Sequence, residues 1–351
     1  MAQPAPFRVA INGYGRIGQC VLRALYENGY RDHFQVVAIN ELSNIDTIAH
    51  LTRYDSTHGR FQGTVAVEGD SLWVNGDAIR VLSSTNPAEL PWQQMGIDLV
   101  LECSGAFSDR ATAEQHLAAG AKRLLFSQPA EADVDRTVVY GINHLELEES
   151  DRIVAAGSCT TNCLVPMIKV LDDELGIEQG TTTTIHAAMN DQPVIDAYHH
   201  QDLRRTRSAL HNIVPVDTAL ALGIERLLPH MQGHFSSVAM RVPTLNVSAI
   251  DMVLNVRTPV TVADVNGILQ RAATTLPLMG ILGYTNELLA SSDFNHDSRS
   301  GVVDGGQTRV TGDTMVKVLC WFDNEWGFAN RMLDVSRHWL GAHRGTSTFK
   351  I

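Results

Sequence analysis

A cysteine between a strand-like and a helix-like segment is the strongest candidate for chemistry in this sequence. Residues 153–155 form a short apolar strand pattern, and apolar residues recur at helical spacing over 164–175. Cys159, which follows the good N-cap residue Ser158, is therefore predicted in the first turn of a helix. Unpaired backbone N–H groups and the helix dipole favour a thiolate there, and the thiolate is the reactive form. We predict that Cys159 is a catalytic nucleophile; a buried structural cysteine is the alternative.

A glycine-rich loop near the start of the sequence predicts a dinucleotide-binding site. The run Gly13-Tyr14-Gly15-Arg16-Ile17-Gly18 lies between an apolar strand pattern, 7–12, and a helical pattern, 19–28. A second apolar strand, 34–40, follows and leads to Glu41. The first glycine allows a tight turn, the second lets a pyrophosphate approach the backbone, and the third permits close packing of helix and strand. The pyrophosphate would lie on the helix N-terminus; a loop that serves only helix packing is the alternative.

Glu41 indicates which dinucleotide is bound. A carboxylate at the end of the second strand accepts hydrogen bonds from the adenosine ribose hydroxyls and repels a 2′-phosphate. No arginine that could hold such a phosphate follows directly, because residues 42–44 are Leu, Ser and Asn. We therefore predict NAD rather than NADP as the cofactor.

Composition argues against several classes of function. The chain has 351 residues, a formal net charge of −12, and 44% hydrophobic residues. This charge argues against broad nucleic-acid or anionic-membrane surfaces. The sequence has no bilayer-length apolar run and no secretion-signal pattern, so we expect a cytoplasmic protein that uses neither membrane nor nucleic acid. Its five scattered cysteines suit a reducing compartment, and their spacing predicts no metal site.

The order of strand-like and helix-like segments predicts two domains, as the length also favours. Strands alternate with helices through residue 158, which is typical of a doubly wound Rossmann domain with a parallel sheet. The β-branched segments that follow indicate an α+β domain with an antiparallel or mixed sheet. We place the dinucleotide-binding domain at 1–158 and the catalytic domain at 159–325. A C-terminal helix, 326–351, is expected to pack back on the first domain.

A long loop in the second domain, 190–215, contains a basic cluster. The cluster comprises Arg204, Arg205 and Arg207. A structureless stretch of this length in a compact domain is usually functional. The arginines could bind phosphate, form subunit contacts or be a solvated charge run.

Several motifs together resemble the glyceraldehyde-3-phosphate dehydrogenase family. The similarity covers nearly the whole chain, and its most specific part is Ser-Cys-Thr-Thr-Asn-Cys at 158–163, after the Rossmann pattern. Further matches are 12–18, His186, 202–207, 240–244 and 323–325. The resemblance implies an NAD-dependent aldehyde dehydrogenase that forms a cysteine thioester. It also implies a homotetramer with the loop at 190–215 in subunit contacts.

The resemblance assigns roles to individual residues. Cys159 would attack the aldehyde carbon and His186 would act as its base, although a core histidine is the alternative for His186 alone. Asn324 would orient the nicotinamide carboxamide. The implied substrate-binding residues are Ser158, Thr160, Arg205, Thr218 and Arg241. The implied cofactor-binding residues are Gly13, Gly15, Arg16, Ile17, Gly18, Glu41, Ser127 and Asn324.

Departures from the family pattern bear on the substrate. Met189 stands where one phosphate subsite usually has threonine, and a thioether cannot donate a hydrogen bond. A single phosphate site and release of the acyl group by water suit D-erythrose 4-phosphate. Segments 215–218 and 292–297 also resemble family members of that specificity, which implies 4-phosphoerythronate as product and a place in pyridoxal 5′-phosphate synthesis.

Two other functions remain open at this point. One is a phosphorylating enzyme that acts on glyceraldehyde 3-phosphate, and the other is a non-catalytic nucleotide- or RNA-binding protein. Thr85 stands where many relatives have an arginine near the adenine, so the adenine contacts also stay open.

Overall fold

A computed structural model describes residues 5–198 and 202–343, which form two units of tertiary structure. The first unit runs to Ser158 and also contains residues 329–343, and the second runs from Cys159 to Phe328. Our predictions for residues 1–4, 199–201 and 344–351 lie outside the described residues. Within the described part of the chain, no helix has the length and apolar character needed to cross a membrane.

The first unit contains a mostly parallel sheet, which confirms the predicted Rossmann-type domain. Its strands are β1 (Phe7–Asn12), β2 (Phe34–Asn40), β3 (Tyr54–Asp55), β4 (Gly59–Arg60), β5 (Val65–Glu68), β6 (Ser71–Val74), β7 (Asp77–Leu82), β8 (Leu99–Glu102), β9 (Leu124–Phe126), β10 (Arg136–Thr137) and β11 (Ile153–Ala155). Its helices are α1 (Arg16–Glu27), α2 (Ile45–Arg53), α3 (Trp92–Met95) and α4 (Arg110–Ala118). The strand order is β10-β11-β9-β8-β1-β2-β7-β6-β5. All neighbours from β10 to β7 pair in parallel, while β5, β6 and β7 form an antiparallel extension.

The central strands of this sheet place their carboxyl ends along one edge. The register pairs Asn12 at the end of β1 with Asn40 of β2 on one side and with Glu102 of β8 on the other. The chain order reverses between β1 and β8, which makes this edge the switch point where doubly wound proteins bind ligands. These strands are apolar and buried because helices pack on a parallel sheet.

The second unit contains a mixed sheet, as predicted for the catalytic domain. Its strands are β12 (Ile177–His186), β13 (Val214–Val216), β14 (Phe235–Arg241), β15 (Ser248–Val256), β16 (Leu282–Thr285), β17 (Gly301–Thr311) and β18 (Met315–Phe322). Its helices are α5 (Cys159–Leu175), α6 (Leu220–Leu227) and α7 (Val262–Thr274). The order is β13-β14-β12-β15-β18-β17-β16, with parallel pairing only between β12 and β14 and between β16 and β17.

Two helices can be compared directly with the sequence predictions. α5 begins at Cys159 and continues past Pro166 to Leu175, so the cysteine occupies the predicted first turn. The last helix, α8 (Trp326–His343), belongs to the first unit from Ala329 onward. There Asp334 accepts a 2.7 Å hydrogen bond from the Tyr30 hydroxyl, which ties α8 to the start of the chain.

Candidate active site

A cysteine and a histidine from different elements meet in the second unit. Cys159 begins α5 and is partly exposed, and His186 ends β12 and is 8% exposed. The Cys159 sulfur lies 3.8 Å from Nε2 of His186. Nδ1 of His186 lies 2.8 Å from the carbonyl oxygen of Ala187. Because a carbonyl only accepts, Nδ1 carries the proton, and Nε2 presents its lone pair to the thiol.

Burial shifts the pKa of each of these two groups in the direction that favours its neutral form. Burial raises the pKa of the Cys159 thiol above its ordinary value, although hydrogen bonds at Thr160 and the charge of Arg241 act against this rise. Burial likewise lowers the pKa of the His186 imidazole. At the thiol, desolvation outweighs the hydrogen bonds at the start of α5, which favour the thiolate. The pair is therefore a thiol beside a free base, ready for proton transfer when the sulfur attacks.

Sheet register brings the predicted phosphate-binding arginine beside the histidine. Arg241 ends β14, and it is the parallel partner of His186 on β12. Neighbouring strands lie about 4.8 Å apart, so the two side chains start from adjacent backbone positions. His186 and Arg241 are far apart in the sequence, and their adjacent positions depend entirely on strand order.

An aspartate that the sequence analysis missed joins the two phosphate-binding candidates. Oδ1 of Asp191 lies 2.8 Å from Nη1 of Arg241, which is 7% exposed, and Oδ2 lies 3.1 Å from Nη1 of Arg205. Burial alone would raise the pKa of the Asp191 carboxyl, but the hydrogen bond and charge of Arg241 and the charge of Arg205 hold it below its usual range. A phosphate that binds these guanidinium groups therefore competes with an internal carboxylate.

The other predicted substrate residues have different surroundings. Oγ1 of Thr160 lies 3.8 Å from the Cys159 sulfur, so Thr160 belongs to the same cluster. Thr218 has another partner, since its hydroxyl accepts a 3.2 Å hydrogen bond from the N–H of Leu220 at the start of α6. Ser158 directly precedes Cys159 and is the last residue of the first unit before the chain enters the second.

A chain of hydrogen bonds connects the backbone of Ala187, the residue after His186, to Asn324. The N–H of Ala187 donates to Oγ of Ser248 at 3.0 Å, and that hydroxyl lies 2.9 Å from Oδ1 of Asn324. The serine thus fixes the amide of Asn324 with its oxygen turned inward. Ser248 is fully buried at the start of β15, and sequence reasoning gave no signal for it.

In the first unit, the glycine loop has the backbone features that NAD binding requires. Gly13 has φ +86°, and a Cβ there would collide with the backbone of Ser104. A Cβ on Gly18 would collide with the carbonyl of Gly13. At Gly15, by contrast, an added Cβ would have no described atom within 4 Å, so the loop is open on that side, at the start of α1. This arrangement fits a pyrophosphate on the helix N-terminus.

A carboxylate and a serine complete the edge of this sheet. Glu41 accepts 2.8 Å hydrogen bonds from the N–H groups of Tyr14 and Leu42, which leaves lone pairs for ribose hydroxyls. The N–H of Ser127, which follows β9, donates to the carbonyl of Glu102 at 2.9 Å. Ile17 lies in the first turn of α1, as does Arg16.

Two polar side chains have structural partners of their own. Arg16 is held by an ion pair with Asp55, with Nη2 and Oδ1 3.1 Å apart. Glu102, also missed by sequence reasoning, is buried and accepts a 2.5 Å bond from Nδ2 of Asn12 as well as bonds from Ser104. This buried carboxylate holds the strand end below the glycine loop.

Comparison with known proteins gives two family matches. The NAD-binding domain of glyceraldehyde 3-phosphate dehydrogenase matches residues 7–110, and the C-terminal domain of the same enzyme matches residues 158–324. The chain belongs to the glyceraldehyde-3-phosphate dehydrogenase family. It is therefore an NAD-dependent dehydrogenase, which confirms the predicted cofactor, and the cysteine–histidine pair lies within the C-terminal match.

Proposed function

We propose that the protein oxidises D-erythrose 4-phosphate to 4-phosphoerythronate with NAD, through a thioester on Cys159 that water hydrolyses. The observation that carries this proposal is the 3.8 Å approach of the Cys159 sulfur to Nε2 of His186, whose Nδ1–H is committed to the Ala187 carbonyl. A nucleophile with a correctly protonated neighbouring base is the arrangement that covalent catalysis requires.

The reaction follows from these two side chains. The sulfur bonds to the aldehyde carbon, and His186 passes the thiol proton to the aldehyde oxygen. Nε2 then removes this hydroxyl proton as the hydride leaves the carbon, so a thioester remains on Cys159. NAD, when bound, accepts the hydride. His186 then releases its proton to solvent. Water attacks the thioester carbon and gives one proton to Nε2, the C–S bond breaks, and His186 passes that proton to the sulfur. The Cys159 thiol is restored, and the acid product loses its remaining proton to solvent.

The arginine pair supports a phosphorylated substrate. Arg241 and Arg205 converge on Asp191, and guanidinium groups bind phosphate through paired hydrogen bonds that fix orientation. We place the substrate phosphate on these guanidinium groups, with Asp191 displaced from at least one of them. Thr160 lies on the cysteine side of the cluster, where it can donate to the substrate.

Met189 supports the four-carbon substrate over the phosphorylating alternative. Its side chain is 45% exposed and lies two residues before Asp191. A thioether at this position offers no donor to a second, inorganic phosphate. Water then remains as the group that releases the acyl enzyme.

The substrate assignment is tested by measuring NADH formation with each sugar phosphate, with and without inorganic phosphate. We expect a higher kcat/KM for D-erythrose 4-phosphate and no requirement for inorganic phosphate. Faster, phosphate-dependent oxidation of glyceraldehyde 3-phosphate would assign the phosphorylating activity instead. Absence of NADH with both substrates, despite NAD binding, would favour the non-catalytic alternative.

We also propose a homotetramer in the cytoplasm. The loop around the basic cluster exposes apolar side chains, among them Ile195 at 75% and Leu203 at 85%, which a second copy of the chain would cover. All five cysteines are free thiols, which suits a reducing compartment. Sedimentation equilibrium should give four times the chain mass, and a monomer would contradict the assembly.

A further inference from the structure

Two cysteines that the proposed reaction does not use are in contact in the second unit. Cys163 lies on α5 and Cys320 on β18, and their sulfur atoms are 3.5 Å apart. Both residues are completely buried. A disulfide requires about 2.05 Å between the sulfurs, so a shift of about 1.5 Å would join them.

The packing around the pair depends on a glycine on the neighbouring strand. Gly301 on β17 faces both sulfurs, and a Cβ at that position would lie 2.7 Å from each of them. Any side chain here would push Cys163 or Cys320 aside. The glycine therefore keeps the two thiols in contact.

Solvent oxidants have poor access to this pair. Burial, together with the hydrogen bond and charge of Cys320 and the charge of Cys159, raises the pKa of the Cys163 thiol. Buried, protonated thiols react slowly with reagents from solvent. Cys159 differs because it is partly exposed and its sulfur lies 3.8 Å from Nε2 of His186, a base that can take its proton. It lies one helical turn before Cys163 on α5. Side chains at this spacing have Cβ atoms about 5–6 Å apart.

We propose that Cys159, Cys163 and Cys320 form a thiol relay that transfers oxidation by a peroxide from the partly exposed cysteine to the buried pair. The proposal rests on the proposed function only in taking Cys159 as the reactive thiol. It assigns a reversible disulfide to Cys163 and Cys320, residues that otherwise serve as packing.

Each step of the relay balances. The Cys159 sulfur attacks hydrogen peroxide and becomes a sulfenic acid, and one water leaves. The Cys163 sulfur attacks the sulfenic sulfur, forms a Cys159–Cys163 disulfide, and its proton leaves with the hydroxide as a second water. The Cys320 sulfur then attacks the Cys163 sulfur, and Cys159 departs and takes up the Cys320 proton. One peroxide is reduced to two waters, two thiols become one disulfide, and Cys159 is a thiol again.

Peptide mapping tests the relay directly. The full chain is treated with equimolar hydrogen peroxide, unfolded in iodoacetamide and digested without reductant. We expect a cross-linked peptide that joins Cys163 to Cys320, together with alkylated Cys159. Oxidised Cys159 with both Cys163 and Cys320 alkylated would overturn the relay.

Two variants separate the entry step from the final exchange. In Cys159→Ser the cross-link should not form with peroxide, and cross-linking at the wild-type rate would show direct oxidation and overturn the relay. In Cys320→Ser, peroxide should abolish NADH formation severalfold faster than in the wild type, because Cys159 cannot be regenerated. Equal inactivation rates would contradict the proposal.

Separate control measurements test whether the variants fold and whether the enzyme is active. Untreated Cys320→Ser should match the wild type in thermal melting and NADH formation, and Cys320→Ala serves in its place if the serine variant melts early. The cross-link is read without any sugar phosphate. Failure to oxidise either sugar phosphate would therefore refute the proposed function while leaving the mapped disulfide intact, and a missing cross-link in an active enzyme would refute only the relay.

Discussion

The glycine loop and the cluster of Cys159, His186 and Arg241 are built in opposite ways. The loop consists of consecutive residues whose backbone makes the site, with Gly13 and Gly18 fixed by close contacts and Gly15 left open. The cluster consists of side chains far apart in sequence, and sheet register brings His186 and Arg241 together. Substitutions in the loop should therefore act through space and backbone conformation, whereas those in the cluster should act through chemistry.

The largest expected effect is at the base of the cluster. His186→Asn removes the lone pair that faces the Cys159 sulfur, and general-base loss lowers kcat/KM by about 10²- to 10⁴-fold. Stopped-flow measurement of the first turnover should show slower acylation with unchanged NAD affinity. A matched control is His230→Asn, which removes an exposed histidine paired with Asp172 and should keep wild-type rates.

The pH dependence of kcat/KM should also differ between the wild type and His186→Asn. Burial lowers the pKa of His186 from its ordinary 6.5, so its neutral, active form persists below that pH. The acid limb of kcat/KM should therefore lie below pH 6.5 in the wild type and vanish in the asparagine variant. Alkylation of Cys159 by iodoacetamide should shift to higher pH in the variant, and an unchanged profile would remove His186 from its role.

The next effect tests the phosphate assignment. Arg241→Lys replaces a paired donor with a point charge, and the KM for D-erythrose 4-phosphate should rise roughly 10- to 100-fold. Oxidation of unphosphorylated D-erythrose should change little. Arg207→Ala, in the 190–215 loop and paired with Asp196, is the control. Equal losses with both aldehydes would move Arg241 out of phosphate binding.

Substitutions at Gly13 and Gly15 should have different effects, one on folding stability and the other on NAD affinity. Gly13→Ala places a side chain at φ +86° against Ser104, which should cost about 1–3 kcal/mol of folding stability. Gly15→Ala should leave the melting temperature unchanged but weaken NAD binding about tenfold, because its methyl enters the open side. Thermal melting and NAD titration of both variants check this. The same response from both would contradict the distinction.

The smallest effect is expected at Ser248. Ser248→Ala leaves the N–H of Ala187 and Oδ1 of Asn324 without their shared partner. We expect a severalfold rise in the KM for NAD and a slower hydride step, seen as a larger isotope effect with a C1-deuterated aldehyde. Ser236→Ala, at an exposed position on β14, should have no effect. An unchanged isotope effect would make Ser248 a packing residue.

Much of the fold could be predicted because its strands are strongly patterned. The strand boundaries at 7–12, 34–40 and 153–155 agree with the structure, since each is a continuous run with clear limits. The long strand β17 was missed because Gly305 and Gly306 interrupt it and its register shifts there. α1 begins earlier than predicted, inside the glycine motif, because propensity says little about where a loop becomes a helix.

The site residues could be predicted only where a local sequence motif indicates their chemistry. Cys159 and the glycines have such motifs, and the resemblance supplied His186 and Arg241. Asp191 and Ser248 had no signal because their importance lies in partners 14 to 76 residues away. The direction in which the pKa of Cys159 shifts also had no sequence signal, because it depends on burial.

The most direct test of the account is capture of the covalent intermediate. Wild-type protein with NAD and D-erythrose 4-phosphate is quenched in acid within the first turnover, digested and analysed by mass spectrometry. We expect a 4-phosphoerythronoyl group on the peptide that carries Cys159, and none in Cys159→Ser. NADH formation in Cys159→Ser at the wild-type rate, or an acyl group on any other residue, would contradict it.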